Sequence, residues 1–431
     1  MLNHRNDGTF AVLRTAKFSS LELASCLAAG SQGIVLLELE CAYTSKRVSA
    51  ALAHNSGRWT VIAGGSAQAE KTANDLSKRT GRVLVHWREY GSIPWAPVLS
   101  GEGVASSYCV RKGISRKAQL WLACRRFFTK HSASVLKAAL PETLVLETWE
   151  AFDEDLKVNF GDGDIAGFGA DVLTVGQRLA LCLSDASDAM AAAPPSTLWI
   201  AKPSYANKGA EIQVLESFEQ LSSHLQTHHT LREWVLQRYI PRPLLVQGRK
   251  FHLRAYVLCV GSLSVYFFKE VLLLSAQRPL AGASLKDKAA HLTNTAVAAE
   301  LSDFDEAQCV KLLVPDLALE LDRIKHSCVA AAAASASPNM KSKSGASAEA
   351  EARAKAGVQP SSGAAAAVAG IMAQMHAVTA ELFRAYQGEF SSFQPLPNCF
   401  EHFGLDFMVT SIRSEACARV DHFPCILLMS C

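Results

Sequence analysis

The chain has 431 residues, 49% of them apolar, with 43 Lys and Arg against 40 Asp and Glu for a net charge of +3. That length gives room for roughly two or three ordinary domains, and the apolar content supports a substantial core. The near-neutral charge argues against a dedicated nucleic-acid binder, whose basic residues give a larger excess.

The cysteines, from Cys26 to Cys431, are scattered with no C-x-x-C pair and no zinc-finger spacing, which reads as reduced, mostly buried thiols. No stretch reads as a membrane span, because the most apolar one, 256–276, is interrupted by Lys269 and Glu270. There is no secretory signal. Arg5, Arg14 and Lys17 against the single acid Asp7 give a faint transit-peptide pattern, and cytoplasm is the expected compartment.

In chain order, short apolar runs predict strands over 33–39 and 59–63, a polar helix over 67–78 and a further strand over 82–86, an α/β pattern that names no function. From Ser115 the spacing is helical, with Leu120, Cys124, Phe127 and Phe128 on one side. Asp162 and Asp164 beside glycines suggest a calcium loop, but Leu173 stands where the closing Glu belongs. Strands are expected over 198–201, 211–215 and 233–240. Ser217 and Gln220 have capping-box spacing for a helix over 218–226. His228-His229 falls at a helix end without a partner that would make a metal site. Runs 251–260 and 263–269 flank Gly261-Ser262, the pair expected at a two-residue hairpin turn. Residues 329–370, dominated by Ala, Ser, Lys and Gly, have too few large apolar side chains to offset ordering entropy and read as a disordered insertion.

Several strings then share a likeness. They are Ser115-Arg116-Lys117-Ala118-Gln119-Leu120 with Pro141-Glu142-Thr143; Trp199-Ile200-Ala201-Lys202-Pro203 with Asn207-Lys208-Gly209; and Trp234-Val235-Leu236-Gln237-Arg238-Tyr239-Ile240. The strongest is Gly248-Arg249-Lys250-Phe251-His252-Leu253-Arg254, followed by His291-Leu292-Thr293-Asn294 and Phe403-Gly404-Leu405-Asp406-Phe407. In this order, over about two thirds of the chain, they resemble the motifs of the tubulin-tyrosine-ligase-like family, and His252 is similar to its fungal and plant branch.

The resemblance implies an α/β (α+β) ATP-grasp fold of two lobes with antiparallel sheets. It divides the chain into an N-terminal α/β domain (1–105), a central domain (106–197) and an ATP-grasp domain (198–328 and 371–431) around the insertion. It also implies an ATP- and Mg2+-dependent enzyme, a monomer. This enzyme would join a free amino acid to a protein carboxylate, at a tubulin tail, through an acyl phosphate. Such chemistry depends on positioning and on neutralising phosphate charge. Carried over residue by residue, Lys117 and Lys202 contact the phosphates and Lys208 sits on the mobile loop above them. Gln237, Arg238, Tyr239 and Ile240 hold adenine through backbone groups, and Asn294 orients phosphate or metal-bound water. Lys250, His252 and Arg254 share one strand face and are the candidate catalytic residues, and Asp406 is the magnesium carboxylate.

Two departures weaken the assignment. The family's Glu-x-Asn string is not found after Thr410, where Glu415 and Asp421 are the acids present, so weak ATP binding and little ligation are expected of the sequence as it stands. Leu274 stands where relatives carry an arginine for the incoming amino acid. The alternative is a non-catalytic ATP-grasp scaffold that binds tubulin or RNA-granule proteins.

Overall fold

A parallel sheet requires each strand to be followed by a long crossover, and the first ninety residues supply two. In this computed structural model, Gly33–Glu38 lies between Trp59–Ala63 and Val83–Arg88, with Val104–Ala105 outside the latter, all parallel. The crossovers are the helices Ala42–His54 and Ala67–Thr80. Central strands covered on both faces must be apolar on both. Ile34, Leu36 and Leu84 pack with Ala73 on one face, while Val35, Leu37, Val85 and Val104 pack on the other. Ser66 caps the second helix by accepting from the Ala69 N–H, and Gly81 ends it at φ 66°. The expected strands and helix are present to within about two residues. The helix Ala42–His54 was not anticipated, because Val48 and Leu52 alone give it a weak apolar stripe.

The structure describes residues 2–4, 10–13, 32–54, 57–147, 175–205, 209, 211–228, 230–240, 242–294, 299, 309–312, 317–323, 360–410 and 425–428. Lys208, the acidic loop with Asp162 and Asp164, most of the expected insertion, and Glu415 and Asp421 lie outside them.

The chain forms two compact units, each built from segments distant in sequence. The first comprises 1–114, 256–269 and 380–404, and the second comprises 115–255, 270–379 and 405–431. The strand Thr143–Glu147 pairs with Glu233–Arg238 from the expected ATP-grasp domain, so backbone hydrogen bonding joins the two.

In the first unit an antiparallel ladder joins 257–260 to 264–267, and Ser264–Phe268 pairs with Phe10–Leu13. The connecting loop has three residues, Gly261 to Leu263, not two, since Val260 stands opposite Ser264. Gly261 at φ 60° and Leu263 at φ 87° take the left-handed positions that a longer loop needs.

The second unit holds two antiparallel sheets. One has the order Thr143–Glu147, Glu233–Arg238, Trp199–Pro203, Gln213–Leu215. Helices Val175–Ala192 and Phe218–Thr227 cover it, and Trp199, Trp234, Leu146, Leu215, Leu221 and Ala186 form a closed core between them. The Phe218–Thr227 helix starts as expected, with Ser217 accepting from the Gln220 N–H. In the other sheet, residues 249–254 pair with Leu245–Val246 and with Leu272–Ser275. Leu272–Ser275 pairs in turn with Val310–Leu312, and Asp406 to Val409 pair with Cys425–Leu428. The turn Gln247-Gly248, at φ 52° and 74°, is the two-residue connection with both centres left-handed, and it fixes Leu245 opposite Lys250.

The end of the expected insertion is ordered. Ser362–Ala385 is a single helix, so 362–370 are its opening turns. Alanine has the highest helix propensity, and Ala364, Val368, Ile371, Met375 and Val378 recur at helical spacing as a buried stripe. By length and composition this helix could also cross a membrane. The buried stripe is that of a core helix, which passes the same test.

Candidate functional site

Alternation along 249–255 separates two chemistries. Phe251, Leu253 and Ala255 enter the core with no exposed surface, while Lys250, His252 and Arg254 project from the opposite face. Lys250 and His252 are only 5% and 3% exposed, an uncommon situation for such groups without partners.

Asp406 supplies one partner. Arg254 donates to both of its oxygens, from Nη2 at 2.8 Å to Oδ2 and from Nε to Oδ1. His252 Nε2 lies 3.3 Å from Oδ1, within ion-pair reach but outside hydrogen-bond geometry. Its Nδ1 is 2.6 Å from the Thr293 hydroxyl. Burial pushes the Asp406 carboxyl up, but His252 and Arg254 together outweigh it and hold the group well below the ordinary carboxylate range.

The three lysines form the second part of the site. Lys117 begins the helix Lys117–Lys130 and is buried, and Ser204 fixes that helix start: its carbonyl accepts from the Lys117 N–H at 3.3 Å and its hydroxyl from the Ala118 N–H at 3.1 Å. Lys202 lies one pair beyond Ile200, which stands opposite Gln237, so Lys202 and Gln237 share a sheet face. Lys202 Nζ donates to Gln237 Oε1 at 3.0 Å, and the Gln237 amide donates to Thr143 Oγ1 at 3.0 Å. Lys250 Nζ donates to the Tyr239 hydroxyl at 2.9 Å and sits 4.2 Å from the centre of its ring.

Lys202 Nζ and Lys250 Nζ thus donate to uncharged oxygens, and both amines are shifted down. Burial, then the charge of Lys117, brings Lys202 from 10.5 to about 8. Burial, then the charge of Lys202, brings Lys250 from 10.5 to about 7. Lysines perturbed this far while facing each other mark a place built for an anion.

Of the residues expected to hold a nucleotide, the structure brings Lys117, Lys202, Gln237, Tyr239, Lys250, His252, Arg254 and Asp406 into this network. Arg238 is not in it: its guanidinium is half-exposed and 3.6 Å from Glu142. The expected role for the 237–240 backbone is also narrowed. The Arg238 N–H donates to Glu142 O and the Tyr239 N–H to Leu198 O, because a central strand uses its donors in the ladder. Ile240, after the ladder, is buried, and its N–H makes no hydrogen bond among the described residues. Asn294 is half-buried and makes no side-chain hydrogen bond among them.

Thr143, His291 and Thr293 were missed as individual residues. Each lies in a string quoted for the resemblance, and a polar residue placed beside a lysine-bearing strand is the signal that could have found it.

The sequence is similar to known proteins. The model of the tubulin-tyrosine ligase family matches residues 168–339. The chain is 24% identical over 385 residues to PBY1 of Saccharomyces cerevisiae, described as a probable tubulin–tyrosine ligase, covering 79% of this chain and 42% of that protein. It is 28% identical over 221 residues to a Schizosaccharomyces pombe protein of the same description, C12B10.04, covering 44% and 51%. The human tubulin monoglycylase TTLL3 matches at 30% identity over 28% of this chain and 16% of its own. The chain thus spans about half the length of the fungal relatives, or less.

Among solved structures, the C-terminal domain of K. lactis Pby1 aligns with a TM-score of 0.49 at 21% identity, covering 92% of this chain and 84% of that one. It is described as an ATP-grasp enzyme interacting with the mRNA decapping enzyme Dcp2. The family match takes in Lys202, Gln237, Lys250 and Arg254, so the residues whose geometry makes the cationic cradle of this mixed α/β chain lie in the segment that is similar to the tubulin-tyrosine ligase family.

Proposed function

We propose that this chain carries the nucleotide-binding core of an ATP-dependent, ATP-grasp amino-acid ligase that joins a free amino acid to a protein carboxylate, at a tubulin tail, in the cytoplasm. The observation that carries the reading is the set of buried amines, Lys202 at about 8 and Lys250 at about 7, with Lys117 beside them. A polyphosphate fits this set. Its negative charge favours the protonated form of Lys202 and Lys250, and a water-excluded cradle makes each contact stronger than at a surface.

The residues do not fit a magnesium ion equally well. Asp406 is the one carboxylate in the network, both its oxygens accept from Arg254, and no group of three metal-ligating side chains exists among the described residues. No step is therefore assigned to a metal. ATP, when bound, supplies the phosphoryl group that activates the acceptor carboxylate as an acyl phosphate. Lys202 and Lys250 hold negative charge in place, Gln237 orients Lys202, and Tyr239 orients Lys250. His252 is held by Thr293 and Asp406 with its ring on the cradle face.

Two measurements test this. Binding of ATP to the parent chain is compared with Lys202→Met and Lys250→Met, each expected to lose about tenfold or more. A labelled free amino acid is then followed with tubulin present. Label in protein supports the ligase, and label only in small molecules refutes the acceptor class. Equal ATP binding in all three chains refutes the cradle.

The engagement of Asp406 favours one second reading, a non-catalytic scaffold that keeps the shape and binds tubulin or RNA-granule proteins. In that case Lys202→Ala leaves partner binding unchanged and no label is transferred.

A further inference from the structure

Three buried polar side chains cross one sheet of the second unit in a line. Thr143 stands directly opposite Gln237, and Gln237 stands opposite Ile200, one pair before Lys202. All three are buried, so water does not complete their hydrogen bonds. Lys202 Nζ donates to Gln237 Oε1 at 3.0 Å, and Gln237 Nε2 donates to Thr143 Oγ1 at 3.0 Å. The line ends where the Thr143 hydroxyl donates to the Pro141 carbonyl at 2.9 Å.

That last link sets the direction of the others. A backbone carbonyl can only accept, so the single hydroxyl proton of Thr143 is committed to Pro141 and its oxygen is left to accept. Facing that oxygen, Gln237 must present its NH2 group, and the other end of the amide, Oε1, is thereby turned to Lys202.

The constraint matters because the amine has two forms. As an ammonium, Lys202 has donors alone and selects Oε1 by itself. As a neutral amine it has a lone pair, and an unconstrained glutamine would turn over and donate to it. Thr143 opposes the turned-over state, which would set Gln237 Oε1 against an oxygen whose proton is elsewhere. Gln237 therefore offers an acceptor to both forms, and this favours the charged one. Burial and Lys117 act against that charge and Asp406 supports it, while Lys202 in turn lowers Lys250.

We propose that Thr143 is a positioning residue of the cradle: by committing its proton to Pro141 it locks the Gln237 amide and keeps Lys202 a cation for an anionic ligand. It acts through Gln237 and is not a catalytic residue. The lock stands on the hydrogen bonds, and only its use in holding a nucleotide phosphate rests on the ligase reading.

The test reads the ionisation of Lys202 by NMR in protein isotope-labelled at the lysine ε carbon, without nucleotide, the resonance being assigned by its loss in Lys202→Met. Thr143→Val keeps the shape and removes the hydroxyl, and its Lys202 should titrate about one pH unit lower, a roughly tenfold change in acid constant. Thr143→Ser should titrate with the parent. On the Gln237→Leu background, Thr143→Val should move Lys202 no further. Thr143→Ala carries the same expectation and replaces Thr143→Val should that chain not fold. With Lys202 at about 8 in the parent, about half of it is charged at pH 8, against about a tenth in the variant. ATP should accordingly bind Thr143→Val about fivefold more weakly at pH 8 and nearly alike at pH 6. An unshifted Lys202 in the hydroxyl-free variants, an equal shift in Thr143→Ser, a further shift on the Gln237→Leu background, or an ATP deficit that persists at pH 6 overturns the proposal. The expected Lys202 shifts with no ATP binding by the parent leave the lock standing and overturn the nucleotide reading.

Discussion

Replacing Lys250 by methionine should stabilise the unliganded protein while removing nucleotide binding, two effects that a general packing defect cannot produce together. Lys250 is driven from 10.5 to about 7 by burial and by the charge of Lys202. Between those values the unfolded chain binds more protons at this position than the folded one, so its contribution to stability rises with pH across that window. At pH 7 the folded state bears a penalty of about 4 kcal/mol as an upper figure, and half of that after relaxation is a safer expectation. Methionine has a similar length, needs no proton, and leaves the Tyr239 hydroxyl its bond to His291. Urea denaturation of both chains from pH 7 to pH 10 measures the effect. The variant should be more stable by about 2 kcal/mol at pH 7, and the gap should close as pH rises towards 10. A variant less stable than the parent at pH 7, or a gap independent of pH, would show that Lys250 is not a desolvated cation and would refute the reasoning.

Nucleotide binding at pH 8 should take up about one proton, because phosphate contact restores charge to Lys250 and Lys202, and calorimetry in buffers of different ionisation enthalpy counts it. Asp406→Asn should cost about 2 to 3 kcal/mol in urea denaturation, since Arg254 and His252 lose their counter-charge. The Asp406 carboxyl is depressed, so this contribution is full at neutral pH and fades only in strong acid. Gln237→Leu should weaken ATP about tenfold by freeing Lys202 from its acceptor, whereas Gln237→Glu should move the basic limb of the binding pH profile upward, a shift that a purely structural residue would not give. Met375→Ala in the Ser362–Ala385 helix should cost about 2 to 5 kcal/mol, and a surface-like cost below 1 kcal/mol would mean that this stripe is not core.

The local elements were legible wherever a periodic pattern and a cap coincided. The Ala67–Thr80 helix and the Phe218–Thr227 helix each have both signals within a few residues, and the 33–38 strand was marked by its unbroken apolar run. The same alternation placed Lys250, His252 and Arg254 on one face, which is a property of a single strand and needs no partner. The sequence likewise marked the lysine-bearing strings themselves, though not what their neighbours would do.

What it could not settle depended on contacts distant in the chain. Arg254 meets Asp406 across 152 positions, and Gln237 meets Thr143 across 94, so neither pairing leaves a mark in local spacing. The Gln237 side chain proved to hold a lysine where only its backbone had been assigned a role, because the ladder had already taken the backbone. Composition misread 362–370 for a related reason. An alanine run is equally consistent with a loose linker and with a helix, and the burial of Ala364 and Val368 decides between them. Period and capping are written along the chain, but burial, and with it the ionisation of Lys202, Lys250 and Asp406, exists only once distant segments have excluded water from the same place.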